Sequence, residues 1–317
     1  RFGWPNGYRR LLFGDAFYES SVVFARQARA FDSSSQLDDL WQAMRNVWIG
    51  NNLQMLLGVP VRLTRGLFAC SMLYPVTDNV LDARDRSPDD KRAFNDRFGQ
   101  RLRGHHVMAR DRSEANAYAL VSQIEEEFPR DGYADVWDSI RAIHRGQVDS
   151  LRQQGRRLPE SELCEISFAK GGASVLADLY LVVGDATIDQ ERFAFGYGVF
   201  LQLLDDLQDV TADRVNGHHT LFTLAAEAGT VDDLTARLMN FIDVVLDRER
   251  AAAGADTSDC LDLIRRNCHS HIGPASDVQP AVSTLRRAPV ATEFPGDAAS
   301  SPAGGATVSS PVRIQAI

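Results

Sequence analysis

The sequence predicts an all-α fold of roughly ten helices, and three observations carry that expectation. Apolar residues recur at helical spacing in one segment after another. No segment alternates apolar and polar residues as a half-buried strand would, and no repeat of fixed period appears. Helix-starting Ser, Thr and Asp and helix-breaking Gly and Pro fall between the periodic segments.

In chain order, residues 1–16 are aromatic and Gly-containing, with Arg9 and Arg10, and are not periodic. Helical spacing begins at Ala16 and runs to Ala30. The loop Phe31-Asp-Ser-Ser-Ser is expected to supply the N-cap of a helix over 37–57, which Gly58-Val-Pro60 ends. The stretch 63–83 is apolar nearly all round between Leu67 and Tyr74, the mark of a buried helix, and Pro75 is expected to kink it or to start its last segment. More polar helices follow over 88–102, 114–128 and 132–153, with Glu125–Glu127 as a solvated face. The helical stretch 160–183 reads as interrupted at Lys170-Gly171-Gly172. Each glycine costs about 1 kcal/mol relative to Ala in a helix, so the pair marks a kink or a close approach to the backbone. Thr187 caps the helix that runs on to Asp209, and further helices are expected over 221–228, 231–250 and 258–267. Beyond His271 Pro, Ser, Ala and Gly take over, so residues 1–271 read as the helical domain and 272–317 as a disordered tail or linker.

Composition narrows the function. The 317 residues are 44% hydrophobic and 24% charged, with ample apolar content for a core. A net charge of −9 argues against a nucleic-acid partner, which demands a positive surface. No apolar run reaches the ~18 residues of a membrane span, so no transmembrane segment is expected, and Arg1-Phe-Gly-Trp-Pro is no signal peptide. Cys70, Cys164, Cys260 and Cys268 lack CxxC spacing, which suits a reducing, cytoplasmic setting. Cys260, Cys268, His269 and His271 match no zinc spacing. Of 34 basic residues, only Lys91 and Lys170 are lysines.

The chemistry concentrates in two carboxylate clusters. The apolar run from Phe195 ends in Asp205, Asp206 and Asp209, and the buried stretch before Tyr74 ends in Asp78 and Asp82. Within each cluster two aspartates stand four apart, so they share a helix face and repel. Carboxylates without His or Cys select hard cations, Mg²⁺ above all, and Mg²⁺ prefers to share phosphate oxygens. Lys170 offers a point charge to such a phosphate. Tyr74 and Ser71 behind Asp78, and Leu201 and Gly198 behind Asp205, are expected to form a deep apolar wall. A ligand with a diphosphate head and a hydrocarbon tail fits that description.

At these residues the chain resembles the class I terpenoid synthase superfamily, the trans-prenyl diphosphate synthases and their relatives. Gln202-Leu-Leu-Asp205-Asp206-Leu-Gln-Asp209 is similar to the family's second aspartate-rich motif, with Leu201 where Phe is common. Tyr74-Pro-Val-Thr-Asp78-Asn79-Val-Leu-Asp82 resembles a first motif of the Asp-Asn-x-x-Asp kind, as in the squalene-synthase-like branches. Lys170-Gly-Gly resembles a Lys-Thr-Gly segment that contacts diphosphate, and Gly217-His-His-Thr220-Leu resembles a Gly-Lys-x-Thr-Leu segment, with His218 in place of lysine. The resemblance spans residues 16–250. It implies a helical bundle around a central cavity and several Mg²⁺ ions held by Asp78, Asp82, Asp205, Asp206 and Asp209. It also implies a prenyl diphosphate substrate held by Lys170, with Arg214 and His218 as further candidates. Gln202 belongs to the second motif, Asn79 is a candidate for orienting a metal ligand or its water, and Tyr74 for the cavity wall.

The departures select the subtype. Chain-elongating members carry Arg-Arg-Gly after the first motif, where this chain has Ser87, Pro88 and Asp89, and no Gly-Lys acceptor segment stands near residue 1. The Asn/Ser/Glu metal motif of ordinary microbial cyclases is replaced by Asp205–Asp209. The expectation is a Mg²⁺-dependent terpene synthase that ionises one prenyl diphosphate and cyclises or eliminates from the cation. The alternatives are a prenyltransferase of the same fold and a non-catalytic subunit partnering an active synthase. A homodimer is compatible with either reading.

Overall fold

The computed structural model describes residues 15–83, 85–252 and 257–276, and the side chain of Asp82 lies outside that description. The described chain is all-α, with twelve helices and no strand. They are α1 (Asp15–Phe31), α2 (Leu37–Leu56), α3 (Arg65–Asp82), α4 (Pro88–Leu102), α5 (Arg112–Glu127), α6 (Ala134–Ser150), α7 (Glu160–Val183), α8 (Ile188–Gln208), α9 (Val210–Asn216), α10 (Leu221–Ala228), α11 (Val231–Ala252) and α12 (Ser258–Ser276). A 3₁₀ turn, Leu151–Gln153, continues α6.

Caps set most boundaries. Thr64, Ser87, Asp111, Thr187 and Thr220 each accept a hydrogen bond from a backbone N–H three residues on, which satisfies a donor left over at a helix start. The cap of α2 is Gln36 rather than the serine loop, and Asp39 returns a bond to its N–H at 2.9 Å. Pro75 sits inside a helix that continues to Asp82. The proline withholds a hydrogen bond from the preceding turn, and the Thr77 hydroxyl donates to the Leu73 and Tyr74 carbonyls nearby.

Three expectations need correcting. Helix α7 is continuous through Lys170-Gly171-Gly172. The glycines serve close approach instead. A Cβ at Gly171 would stand 2.5 Å from the Gly198 carbonyl oxygen, and one at Gly172 2.3 Å from the Phe195 ring, so α7 and α8 touch backbone to backbone. Gly146 likewise lets α6 close on the Lys170 backbone, at 2.9 Å from a would-be Cβ. Second, a further helix, α9, follows Asp209, which ends α8 and precedes α9 with φ −93° and ψ 5°. Third, α12 continues to Ser276, with Ile272 buried, so helix extends five residues past the expected domain boundary. Residues 277–317 of the expected tail, and 1–14 at the start, lie outside the described residues. Helix α7 alone among the described helices is long and apolar enough to cross a membrane, and 61% of that stretch is buried in the bundle.

That burial reflects its position. Leu163, Ile166, Val175 and Leu179 of α7 join one apolar core with α8, α10, α11 and α12. Ala177, Tyr180 and Leu181 join a second with α1 to α6. A helix flanked by core on both sides must be apolar nearly all round.

Candidate active site

The expected site residues gather at one end of the bundle, where α3 and α8 end, α6 ends, and α7 is in its first half. Asp78, half-buried near the end of α3, is held by two glutamines from different helices. Gln42 of α2 donates to its Oδ2 at 2.6 Å, and Gln147 of α6 donates to Oδ1. Next to Gln147, Gly146 packs on the Lys170 backbone, which carries the site from α6 to α7. Lys170 is half-buried and acts on both Asp206 and His218.

Asp206, on α8, is buried with both oxygens engaged. Gln202 donates to Oδ1 at 2.9 Å and Ser167 of α7 to Oδ2 at 3.2 Å. Burial pushes its carboxyl up to about 7. The Gln202 bond opposes that, the Asp205 charge adds to it, and Lys170 and Ser167 pull it back down. Asp205 and Asp209 are half-buried, the latter at the break between α8 and α9. Arg214 lies on α9, also half-buried. After it Gly217 takes a left-handed φ of 67°, a conformation that suits glycine, and turns the chain back. The turn is tied to the end of α6. Gly155 N–H donates to the Gly217 carbonyl at 3.0 Å, and His219 N–H to the Gln153 carbonyl at 2.9 Å. His218, carried on this strap, is kept more readily neutral by burial and then by the Lys170 and His219 charges.

Asn79 departs from the group. It is exposed and donates to Asp39 at 3.1 Å, on the rim of α2. The side chain of Asp82 lies outside the described residues, though its backbone closes α3. Among the described residues no three His, Cys, Asp or Glu side chains converge on a point where an ion would sit. The aspartates expected to hold Mg²⁺ are of the donor type a hard cation selects, although Gln202 and Ser167 already engage both Asp206 oxygens.

Below this end the expected apolar wall is partly polar. One turn down, the Tyr74 hydroxyl meets Ser174 Oγ at 2.6 Å, linking α3 to α7. One turn further, Asn46 of α2 donates to Ser71 Oγ at 3.1 Å and to Asp178 Oδ1 at 2.8 Å. Asp178 is 0% exposed, its Oδ2 has no partner among the described residues, and burial pushes its carboxyl up to about 8, against the pull of Asn46. Thus Gln42 and Asn46 on α2, Asp78, Tyr74 and Ser71 on α3, and Lys170, Ser174 and Asp178 on α7 form three stacked layers at successive helical turns. Gly198 and Leu201 do not wall a cavity either. Gly198 is sealed against Gly171, and Leu201 packs on the core with α11 and α12.

The apolar space lies on the other side of α3. A narrow cleft, with about 30 Å³ open to the centre of a water-sized sphere, is lined by Tyr74 and Thr77 of α3, Phe98 and Leu102 of α4, and His144 and Gln147 of α6. Gln147, which lines it, also holds Asp78. The sequence singles out the carboxylates and Lys170 but not Gln42, Gln147 and Ser167, which hydrogen-bond to Asp78 and Asp206, nor the buried Asp178. These are single polar residues in amphipathic helices, and only packing shows which of them turn inward. No protein-family model matches the chain, and no curated protein matches it in sequence.

Proposed function

We propose that the protein is a Mg²⁺-dependent terpene synthase that ionises one prenyl diphosphate and forms its product from the resulting carbocation. What supports this reading is the chain of contacts that links Asp78 through Gln147 and Gly146 to Lys170, whose charge acts on Asp206, with Gln147 also lining an apolar cleft. Asp78, Asp205, Asp206 and Asp209, with Asp82 by its place in the motif, would hold the ions, whose Lewis acidity neutralises a leaving diphosphate. Gln42, Gln147, Gln202 and Ser167 fix the carboxylate orientations, as outer-layer hydrogen bonds do at metal sites. Lys170 and His218 meet the phosphate oxygens, with Arg214 nearby on α9. As the carbon–oxygen bond breaks, its electron pair stays with the diphosphate oxygen. The cleft lined by Phe98, Leu102 and Tyr74 is far smaller than a prenyl chain, so α3, α4 and α6 would have to part before the cation could sit against those rings.

A one-substrate reaction is favoured because Ser87, Pro88 and Asp89 begin helix α4. Ser87 caps it, Pro88 is its first residue, and Asp89 and Asp90 bring negative charge to a position where a second diphosphate would need cations. The test is incubation of the purified protein with Mg²⁺ and single allylic prenyl diphosphates of increasing length, following diphosphate release and identifying products by mass spectrometry. Release with a hydrocarbon or terpene alcohol from one substrate supports the proposal. Absolute dependence on a second prenyl diphosphate would instead make it a prenyltransferase, and no release from any substrate would make it a non-catalytic subunit.

A further inference from the structure

The strap that carries His218 is held by a residue that the proposed ionisation does not use. Gln153 closes the 3₁₀ turn after α6 and is 4% exposed, so its amide needs partners inside the fold. It bonds His219 twice. The His219 N–H donates to the Gln153 carbonyl at 2.9 Å, and the Gln153 side-chain amide donates to the His219 carbonyl, also at 2.9 Å. Both backbone groups of residue 219 are thus fixed by one partner. The next residue, Thr220, is buried and caps α10.

The residues before it are tied as well. Gly155 N–H holds the Gly217 carbonyl at 3.0 Å, and His218 N–H donates to the Asp213 carbonyl of α9 at 2.8 Å. Gln154 pairs with His218 as an isolated antiparallel bridge. Residues 217, 218 and 219 are therefore each anchored, and the half-buried His218 imidazole hangs from a backbone set before any ligand arrives. Of the bonds named on these three residues, only the one from the Gln153 amide comes from a side chain. It is the one tie that a substitution can remove without touching the main chain.

We infer that Gln153 is a positioning residue for diphosphate: by holding His219 it sets where His218 stands against the phosphate oxygens. This rests on the diphosphate site proposed above. The end of α6 then serves both walls of that site, since Gln147, six residues earlier, holds Asp78, and Gly146 packs on the Lys170 backbone.

The experiment measures binding of inorganic pyrophosphate with Mg²⁺ to the full chain by calorimetry, for the wild type, His218→Ala, Gln153→Met and the double variant. Methionine keeps the length of Gln153 and loses its donor. His218→Ala should weaken binding by ~10-fold or more, the range of one hydrogen bond to a charged group. Gln153→Met should cost ~3–10-fold alone but less than ~2-fold once His218 is alanine, because residues that act through one contact are not additive. Equal losses in both backgrounds overturn the inference and leave Gln153 a structural residue. Unchanged affinity in either single variant overturns it too, and in each of these cases the metal and diphosphate site stands. If the wild type binds no pyrophosphate with Mg²⁺, the functional proposal fails and this one falls with it. Should Gln153→Met lose its cooperative thermal transition, Gln153→Ser, small enough to admit a water to the His219 carbonyl, completes the same cycle.

Discussion

At the scale of single residues, the site depends on amides that hold carboxylates. Gln147 is the link between the cleft and Asp78. Gln147→Leu removes the donor while filling similar space, and should slow diphosphate release from an accepted prenyl diphosphate by ~10–100-fold, the usual cost of losing an outer-layer bond. An unchanged rate with an unchanged Mg²⁺ requirement would exclude Asp78 from the metal site. Asp178 makes a different prediction. Its carboxyl keeps a proton up to about 8 when folded but loses it near 3.8 when unfolded. Between those values the folded state binds more protons, so stability falls as pH rises through the window. Asp206, pushed up to about 7, adds to the same fall in its lower part. Asp178→Asn should therefore gain at least ~1 kcal/mol at pH 8, about 2–4 °C in Tm, and should lose most of that gain near pH 4. Thermal melts of both proteins across that range decide it. A gain that does not depend on pH would mean that titration of Asp178 is not its source.

At the scale of elements, the α7–α8 contact sets the spacing between Lys170 and the second aspartate cluster. Gly198 leaves no room: a Cβ there would lie 2.1 Å from the Gly171 carbonyl oxygen, and no side-chain rotation relieves a clash with backbone. Gly198→Ala should cost ~1–3 kcal/mol or more, read as a lowered Tm, and the helices must separate to accept it. Gln202, one turn on, would move with α8, so the Asp206–Gln202–Ser167 arrangement should loosen as well. A variant with native Tm would show that the helices do not approach this closely. The glycine pair in α7 was legible as a signal of either a kink or an approach, and the choice between them was not. That choice depends on Gly198 and Phe195 in another helix, about which local periodicity carries no information.

At the scale of the molecule, the helical class and most helix boundaries followed from spacing and capping residues, because both are local. Asp78 and Asp205–Asp209 stood out because like charges stacked at the ends of apolar helices are locally unfavourable, and Lys170 because it is one of only two lysines and stands beside two glycines. The polar layers beneath them did not. Asn46, Ser71, Ser174 and Asp178 are each unremarkable within their own helix, and only the packing of α2, α3 and α7 brings them into register. The apolar wall was expected behind both clusters, on α3 and on α8, and of its residues Tyr74 lines the cleft while Leu201 and Gly198 of α8 do not. They are spent on contact with α7, α11 and α12, and the open space lies between α3, α4 and α6.

Helix α7 also belongs to both halves of the protein, with one flank in each apolar core. Neither half can open without exposing part of it, so the two cores should unfold as one unit, with the slowest amide hydrogen exchange in residues 173–181. The same helix carries Lys170, whose charge acts on Asp206 and His218. A charged ligand seated there would grip the element that both cores share. Its signature would be slower exchange on the far sides of the bundle, in α5 and α11, where nothing touches it.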